Sequence, residues 1–369
     1  MGATRMVQQW TASVNALFGS LHGHTLKALA AFSAAMCLGG HCHSGPLAAS
    51  VVSTAKPASS RRRWERLLAN DALDGTAALA DLAAHVLRAW GGGRPLLLVL
   101  DETPGHGDLR SMRLGVAYRK RLLTLGAVCY PKDHPPVPMP ALICRMLAGV
   151  AALIPPGAAV TFLCDRGLAW PSVLDATRRL GWGHVLRLQK STRVKLPDGR
   201  IVAAGDLVTR RRGKRRQCWH GRATIFKKAG WRDAHVSVVW DRRCKEPWIL
   251  AAPADGGGLH GLHAACAYAK RNWCEQGFRD EKSGGFRWDQ SRVADPARMM
   301  KLIVVMTLAM LLSISLGTWL LKSGRRRELD PHRRRRLSVF QLGLRWLHHL
   351  LVLVDDGTLP PYLPYLHPS

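Results

Sequence analysis

Twenty consecutive uncharged residues, Leu302–Leu321 (LIVVMTLAMLLSISLGTWLL), lie between Lys301 and Lys322. A helix made from them has two destinations. It spans a bilayer, for which the length suffices, or it is buried on all sides within a protein core. Which destination applies depends on what the rest of the chain can build around it.

The rest of the chain is apolar enough to fold and unusual in the sign of its charge. Hydrophobic residues make up 47 %, whereas Lys and Arg (54) exceed Asp and Glu (25) by 29 within a charged fraction of only 21 %. That balance excludes a disordered polycation and predicts a folded protein with a strongly positive surface. The natural partner of such a surface is a polyanion, nucleic acid ahead of an anionic membrane. Nine cysteines without a C-x-x-C pair predict reduced thiols in a cytoplasmic setting rather than a disulfide framework, and no signal-peptide pattern opens the chain. Cys37, His41, Cys42 and His43 are crowded within seven positions, too close to wrap one zinc ion tetrahedrally.

Texture divides the 369 residues into regions. Residues 1–92 have helical spacing and a basic run at Arg61, Arg62 and Arg63, which suits a helical DNA-binding region. From 93 to 190 buried strands are predicted at Pro95–Leu100, Leu114–Tyr118, Leu122–Tyr130, Ala158–Cys164 and His184–Leu188, with helices at Met139–Ile154 and Trp170–Leu180. Residues 191–255 switch to alternating β texture and carry Arg210, Arg211, Arg212, Lys214, Arg215 and Arg216, a run suited to phosphate contact. Residues 256–325 return to helix, and 326–369 form a basic region with an amphipathic helix at Leu337–Val354. The fold class is α/β, since strands in a meander are followed by strands alternating with helices.

Two of the predicted strands run straight into a carboxylate, Asp101 and Asp165. A carboxylate at the carboxyl end of a core strand points into the crevice where open α/β sheets bind ligands, and two of them at close range call for a divalent cation. A third acid, Glu275, belongs to the spacing Y-x2-R-x3-E-x6-K formed by Tyr268, Arg271, Glu275 and Lys282. On one helix over 259–282, residues 268, 271 and 275 share a face.

Those residues resemble the cut-and-paste insertion-sequence transposases of the DDE type with the Y-R-E-K signature. Asp101-Glu102-Thr103 looks like the first Asp motif, Asp165-Arg166-Gly167 like the second, and Tyr268, Arg271, Glu275 and Lys282 like the third. The resemblance covers about residues 95–325. It implies a ribonuclease H-like mixed sheet with flanking helices, interrupted by a β-rich insertion at 191–255. It further implies two Mg²⁺ (or Mn²⁺) ions on Asp101, Asp165 and Glu275, and DNA held by Tyr268, Arg271 and Lys282. The activity implied is binding of terminal inverted repeats, hydrolysis at the ends and joining of the 3′-OH to target DNA, by a homodimer or higher multimer in the cytoplasm at the bacterial nucleoid. Trp248, at the end of the insertion, is the candidate for stacking a flipped base, beside the plainer reading of a core Trp. The resemblance also assigns Leu302–Leu321 to a core helix, not a membrane span. A metal-dependent DNA nuclease on the same core and an inactive transposase-derived DNA-binding protein are the alternatives.

Overall fold

The computed structural model describes residues 2–90, 95–209, 216–241 and 244–352. Five helices come first: α1 (Gly2–Leu17), α2 (Gly23–Gly39), α3 (Ser44–Ala49), α4 (Pro57–Ala69) and α5 (Gly75–Trp90). A meander of β1 (Leu96–Pro104), β2 (Leu109–Tyr118) and β3 (Arg121–Pro131) follows, then α6 (Met139–Ala151), β4 (Val160–Cys164), α7 (Pro171–Arg179) and β5 (Gly183–Leu188). The β-rich stretch comprises β6 (Arg193–Lys195), β7 (Ile201–Ala203), β8 (Arg216–Ile225), β9 (Arg232–Asp241) and β10 (Trp248–Ala252). Helices α8 (Gly261–Ala269), α9 (Asn272–Glu281), α10 (Pro296–Lys322) and α11 (Val339–Val352) complete the described chain.

All ten strands join one mixed sheet, in the order β3-β2-β1-β4-β5-β10-β9-β8-β6-β7. β1 is parallel to β4, and β4 to β5, while β2 is antiparallel to both of its neighbours. The β-rich stretch is continuous with the rest, because Ile249 of β10 pairs antiparallel with Leu188 of β5. Alternation along β1 assigns its side chains to two faces: Leu98 and Leu100 enter the larger core, whereas Val99 packs in a second cluster with Leu163, Val185, Leu250, Tyr268 and Phe278. Helices α8 and α9 cover that second face.

The apolar run at 302–321 is the centre of the larger core. Helix α10 is long and apolar enough to cross a membrane, yet 94 % of its most apolar stretch is buried inside the protein, against α2, α5, α11 and β3. Its few polar positions serve that packing. Gly317 and Gly343 mark the crossing of α10 and α11, where a Cβ on either would sit 1.8 or 1.7 Å from a backbone oxygen of the other helix. Thr318 shares a hydrogen bond of 3.2 Å with the Tyr118 hydroxyl. The N-terminal helices contribute Trp10, Phe32 and Trp64 to the same core. Cys37 and Cys42 are buried as well, and burial pushes the Cys37 thiol up to about 12.

Candidate active site

Period-two alternation carries the site residues to one face. Val99, Asp101 and Thr103 follow one another on the α8/α9 side of β1; Leu163 and Asp165 do so on β4, and Val185 and Arg187 on β5. The parallel register pairs Leu100 with Cys164, so the residues next in each strand, Asp101 and Asp165, are neighbours. Asp101 differs from expectation in one respect. β1 continues to Pro104, so Asp101 lies within the strand, opposite Arg113, rather than at its end. Asp165 does follow its strand immediately.

Tyr268, Arg271 and Glu275 reach this pair from above. The Tyr268 hydroxyl donates to Asp165 Oδ1 at 2.8 Å. Arg271 Nη2 donates to both oxygens of Asp101, at 2.9 Å each, and lies 4.0 Å from Asp165 Oδ2, while its Nη1 pairs with Glu275. One guanidinium therefore touches all three predicted carboxylates. Lys282 Nζ donates to Thr103 Oγ1 at 2.8 Å and lies 5.3 Å from the Trp288 ring centre.

The single helix expected over 259–282 is broken in two. Arg271 precedes α9 with helical backbone angles, but the amides of residues 270 to 274 bond mostly three residues back, as Arg271 N–H does to Tyr268 C=O at 2.8 Å. That tighter turn joins α8 to α9 and keeps Tyr268 and Arg271 facing the strands. Lys282 lies past the end of α9 with φ −92° and ψ −114°, so it approaches Thr103 from a turn and not from two helical turns further along.

Burial and cations pull the carboxylates in opposite directions. Burial raises the Asp101 pKa above the usual carboxylate range, against the opposing pull of Arg271. Burial acts on Asp165 too, but the Arg166 backbone N–H, the Tyr268 hydroxyl, Arg271 and Arg187 together hold it below that range. The Lys282 ammonium is lowered, chiefly by burial.

Arg187 was not anticipated by motif reading. It bonds Asp165 Oδ1 at 3.3 Å and also pairs with Glu246, which Arg166 contacts at 2.9 Å. Its signal was present in the sequence as an arginine inside the apolar strand HVLRL. Trp248 is half-buried and sits edge-on to Tyr268, ring centres 5.2 Å apart, which ties it to the site. Arg216 pairs with Asp241 at 3.1 Å. Arg210, Arg211, Arg212, Lys214 and Arg215 lie outside the described residues. Of the N-terminal basic run, Arg61 pairs with Glu65, and Arg63 lines a groove of about 590 Å³ with Lys27 and Arg66.

The donor set suits a hard divalent cation: three carboxylates converge on one cationic group, and that group is imperfectly satisfied, since the buried Nε of Arg271 has no acceptor among the described residues. Among the described residues no three His, Cys, Asp or Glu side chains already direct their donors at one point, because the guanidinium stands between these acids. Comparison with known proteins matches the chain to no family model and to no curated protein.

Proposed function

We propose that the chain is a DDE-type DNA transposase on a ribonuclease H-like core, which cleaves the ends of its element and joins them to target DNA. One observation carries the reading. Tyr268, Arg271 and Lys282, distant in sequence from the two Asp motifs, bond to Asp165, Asp101 and Thr103, and Glu275 joins them through Arg271. A surface segment with a fortuitous charge pattern has no reason to aim three of these side chains at polar residues of two neighbouring strands. The order β3-β2-β1-β4-β5, with β2 reversed against the parallel trio, supports the ribonuclease H-like core. The excess of 29 positive charges supports DNA as the partner.

Asp101, Asp165 and Glu275 would hold two Mg²⁺ ions, or Mn²⁺ in their place. Such a pair supplies a clamp for the attacking and leaving oxygens of in-line phosphoryl transfer. The chain's own groups do the rest. Arg271 holds the carboxylates together in the free protein, and a phosphate of the DNA end offers it an alternative bidentate partner. Lys282, its charge beside Trp288 and Thr103, supplies a second phosphate contact. Tyr268 fixes Oδ1 of Asp165 by its hydrogen bond. Arg187 restrains the same carboxylate from the strand side.

The test is cleavage of DNA bearing the inverted repeats that flank the gene, with Mg²⁺ present. Glu275→Gln is expected to abolish nicking and strand joining while end binding persists. Loss of folding and binding together would make Glu275 structural, and nicking without joined products in the parent chain would make the protein a nuclease.

A further inference from the structure

Four histidines gather on the α8 face of the sheet, strands away from the carboxylates. His220 of β8 and His235 of β9 lie on the strand face that α8 covers, since His220 pairs with Ser237 and Arg222 with His235. His260 precedes the first residue of α8 and His263 lies in its first turn. Ser237 Oγ accepts the Gly261 N–H at 2.8 Å and locks the start of α8 to β9. Gly256 (φ +77°) and Gly261 (φ +53°) leave the rings their room: a Cβ at 261 would lie 3.1 Å from the His220 ring, and one at 256 would lie 3.5 Å from the His260 ring.

The centroids of His220, His235 and His260 form a nearly equilateral triangle with sides of 5.4, 5.4 and 5.5 Å. His220 Nδ1 lies 3.2 Å from His235 Nε2. Three imidazoles around one tetrahedral Zn²⁺, at Zn–N distances of about 2.0–2.1 Å, place their centroids about 5.2 Å apart and their ligating nitrogens about 3.4 Å apart. Both separations match within a few tenths of an ångström. We propose that His220, His235 and His260 form a binding site for a divalent transition-metal ion of the Zn²⁺ type, linking β8 and β9 to the start of α8.

The nitrogens do not yet converge on one point, as the absence of a ready-made cluster among the described residues states. The His220 ring stacks on its neighbours at 27–28°. Turning a ring about its Cβ–Cγ axis re-aims its nitrogens while leaving its centroid almost in place, so binding needs no backbone movement. The rings are reachable: His220 is exposed, and His235 and His260 are half-buried. Imidazole nitrogens select Zn²⁺, Ni²⁺, Co²⁺ or Cu²⁺ over Mg²⁺, so this site does not compete for the ion of the carboxylate site.

The experiment is Zn²⁺ titration of the purified full chain against a chromophoric chelator, with Mg²⁺ in excess. Exposed Cys218 and Cys266 are the competing soft ligands, so the parent for the series carries Cys218→Ser and Cys266→Ser. One equivalent of Zn²⁺ is expected to bind, with an accompanying rise in Tm. His220→Ala, His235→Ala and His260→Ala are each expected to weaken it by at least the roughly tenfold to hundredfold that the loss of a mere outer hydrogen-bond partner costs, since each removes a ligand. Co²⁺ at the same site should give d–d bands without a thiolate charge-transfer band. Asp101→Asn should leave the titration unchanged, so this result stands or falls apart from DNA cleavage. No Zn²⁺ uptake by the parent, or uptake indifferent to all three His→Ala changes, overturns the site and leaves a hydrogen-bonded ring stack.

Discussion

Helix α9 presents acids to arginines at both of its ends, and the two ends are built differently. Near the start, Glu275 keeps 52 % of its side chain in water while it meets Arg271, which also holds Asp101. At its last two positions, Asp280 and Glu281 meet Arg121 and Arg113, and none of these four side chains is more than 9 % exposed. Arg113 is enclosed further by the Trp288 ring at 5.0 Å and the Phe278 ring at 5.9 Å. The ion pairs are chemically alike, but their surroundings differ. A buried pair cannot exchange its partner, because the abandoned charge has no water to turn to; an open one can. The inner pairs therefore fix α9 to β2 and β3, whereas in the outer set only Glu275 is open to water, Arg271 and Asp101 keeping 14 % and 10 % of their side chains exposed.

The largest effect should come from breaking an inner pair. Arg113→Met leaves Glu281 as an isolated buried carboxylate and is expected to lower stability by about 3–5 kcal/mol, read from the urea midpoint. Adding Glu281→Leu to that variant should restore most of the loss, since no charge is then stranded. An unchanged midpoint in the single variant would erase the distinction between the two ends of the helix.

Glu275→Gln probes the outer set. It is expected to change stability by only about 0–1 kcal/mol, the range of exposed pairs, even though the proposed chemistry depends on it. A loss comparable with that of Arg113→Met would place Glu275 among the structural acids. Lys282→Met should act more gently still: if Lys282 holds one DNA phosphate, the slope of log affinity against log salt falls by about 1, uniformly across sequences. Arg121→Met, at an inner pair, should leave that slope unaltered.

Much of the outer set was legible from spacing, and the inner set was not. Asp101, Asp165 and the Y-R-E-K residues could be named because each occupies a fixed place relative to an apolar run or to the others. Arg113 and Arg121 gave no such signal, since their partners are 168 and 159 residues away and long-range pairing leaves no local pattern. The break between α8 and α9 escaped for a related reason. Residues 270–272 contain no Gly or Pro, and the tight turn there is imposed by the strand carboxylates that Tyr268 and Arg271 must reach. The core destination of Leu302–Leu321 was expected from the resemblance, but its partner α11, whose Gly343 meets Ser313 across the crossing, was not. His220, His235 and His260 gave no local signal either, because the β8–β9 register and the docking of the α8 start on Ser237 bring them together.

A finer comparison uses pH, since two buried groups titrate in opposite senses. Burial, against the pull of Arg121, pushes the Asp280 carboxyl up to about 6. Its folded value exceeds the unfolded one, so the stability it contributes is complete below about pH 4 and is lost as pH rises through about 6. His184, buried in β5 beside Thr177, is lowered to about 4 by burial and then by Arg178. Its folded value lies below the unfolded one, so its contribution is complete above about pH 6.5 and is lost as pH falls toward 4. In the parent chain the two oppose each other across pH 4 to 6.5. Asp280→Asn should leave the histidine's dependence exposed, with a urea midpoint that climbs more steeply with pH than that of the parent. His184→Asn should do the reverse, tilting the curve downward as pH rises. An Asp280→Asn slope equal to the parent's would mean that Arg121 holds the Asp280 carboxylate charged throughout, and the inner pair would then resemble the outer set in charge state while still differing in exposure.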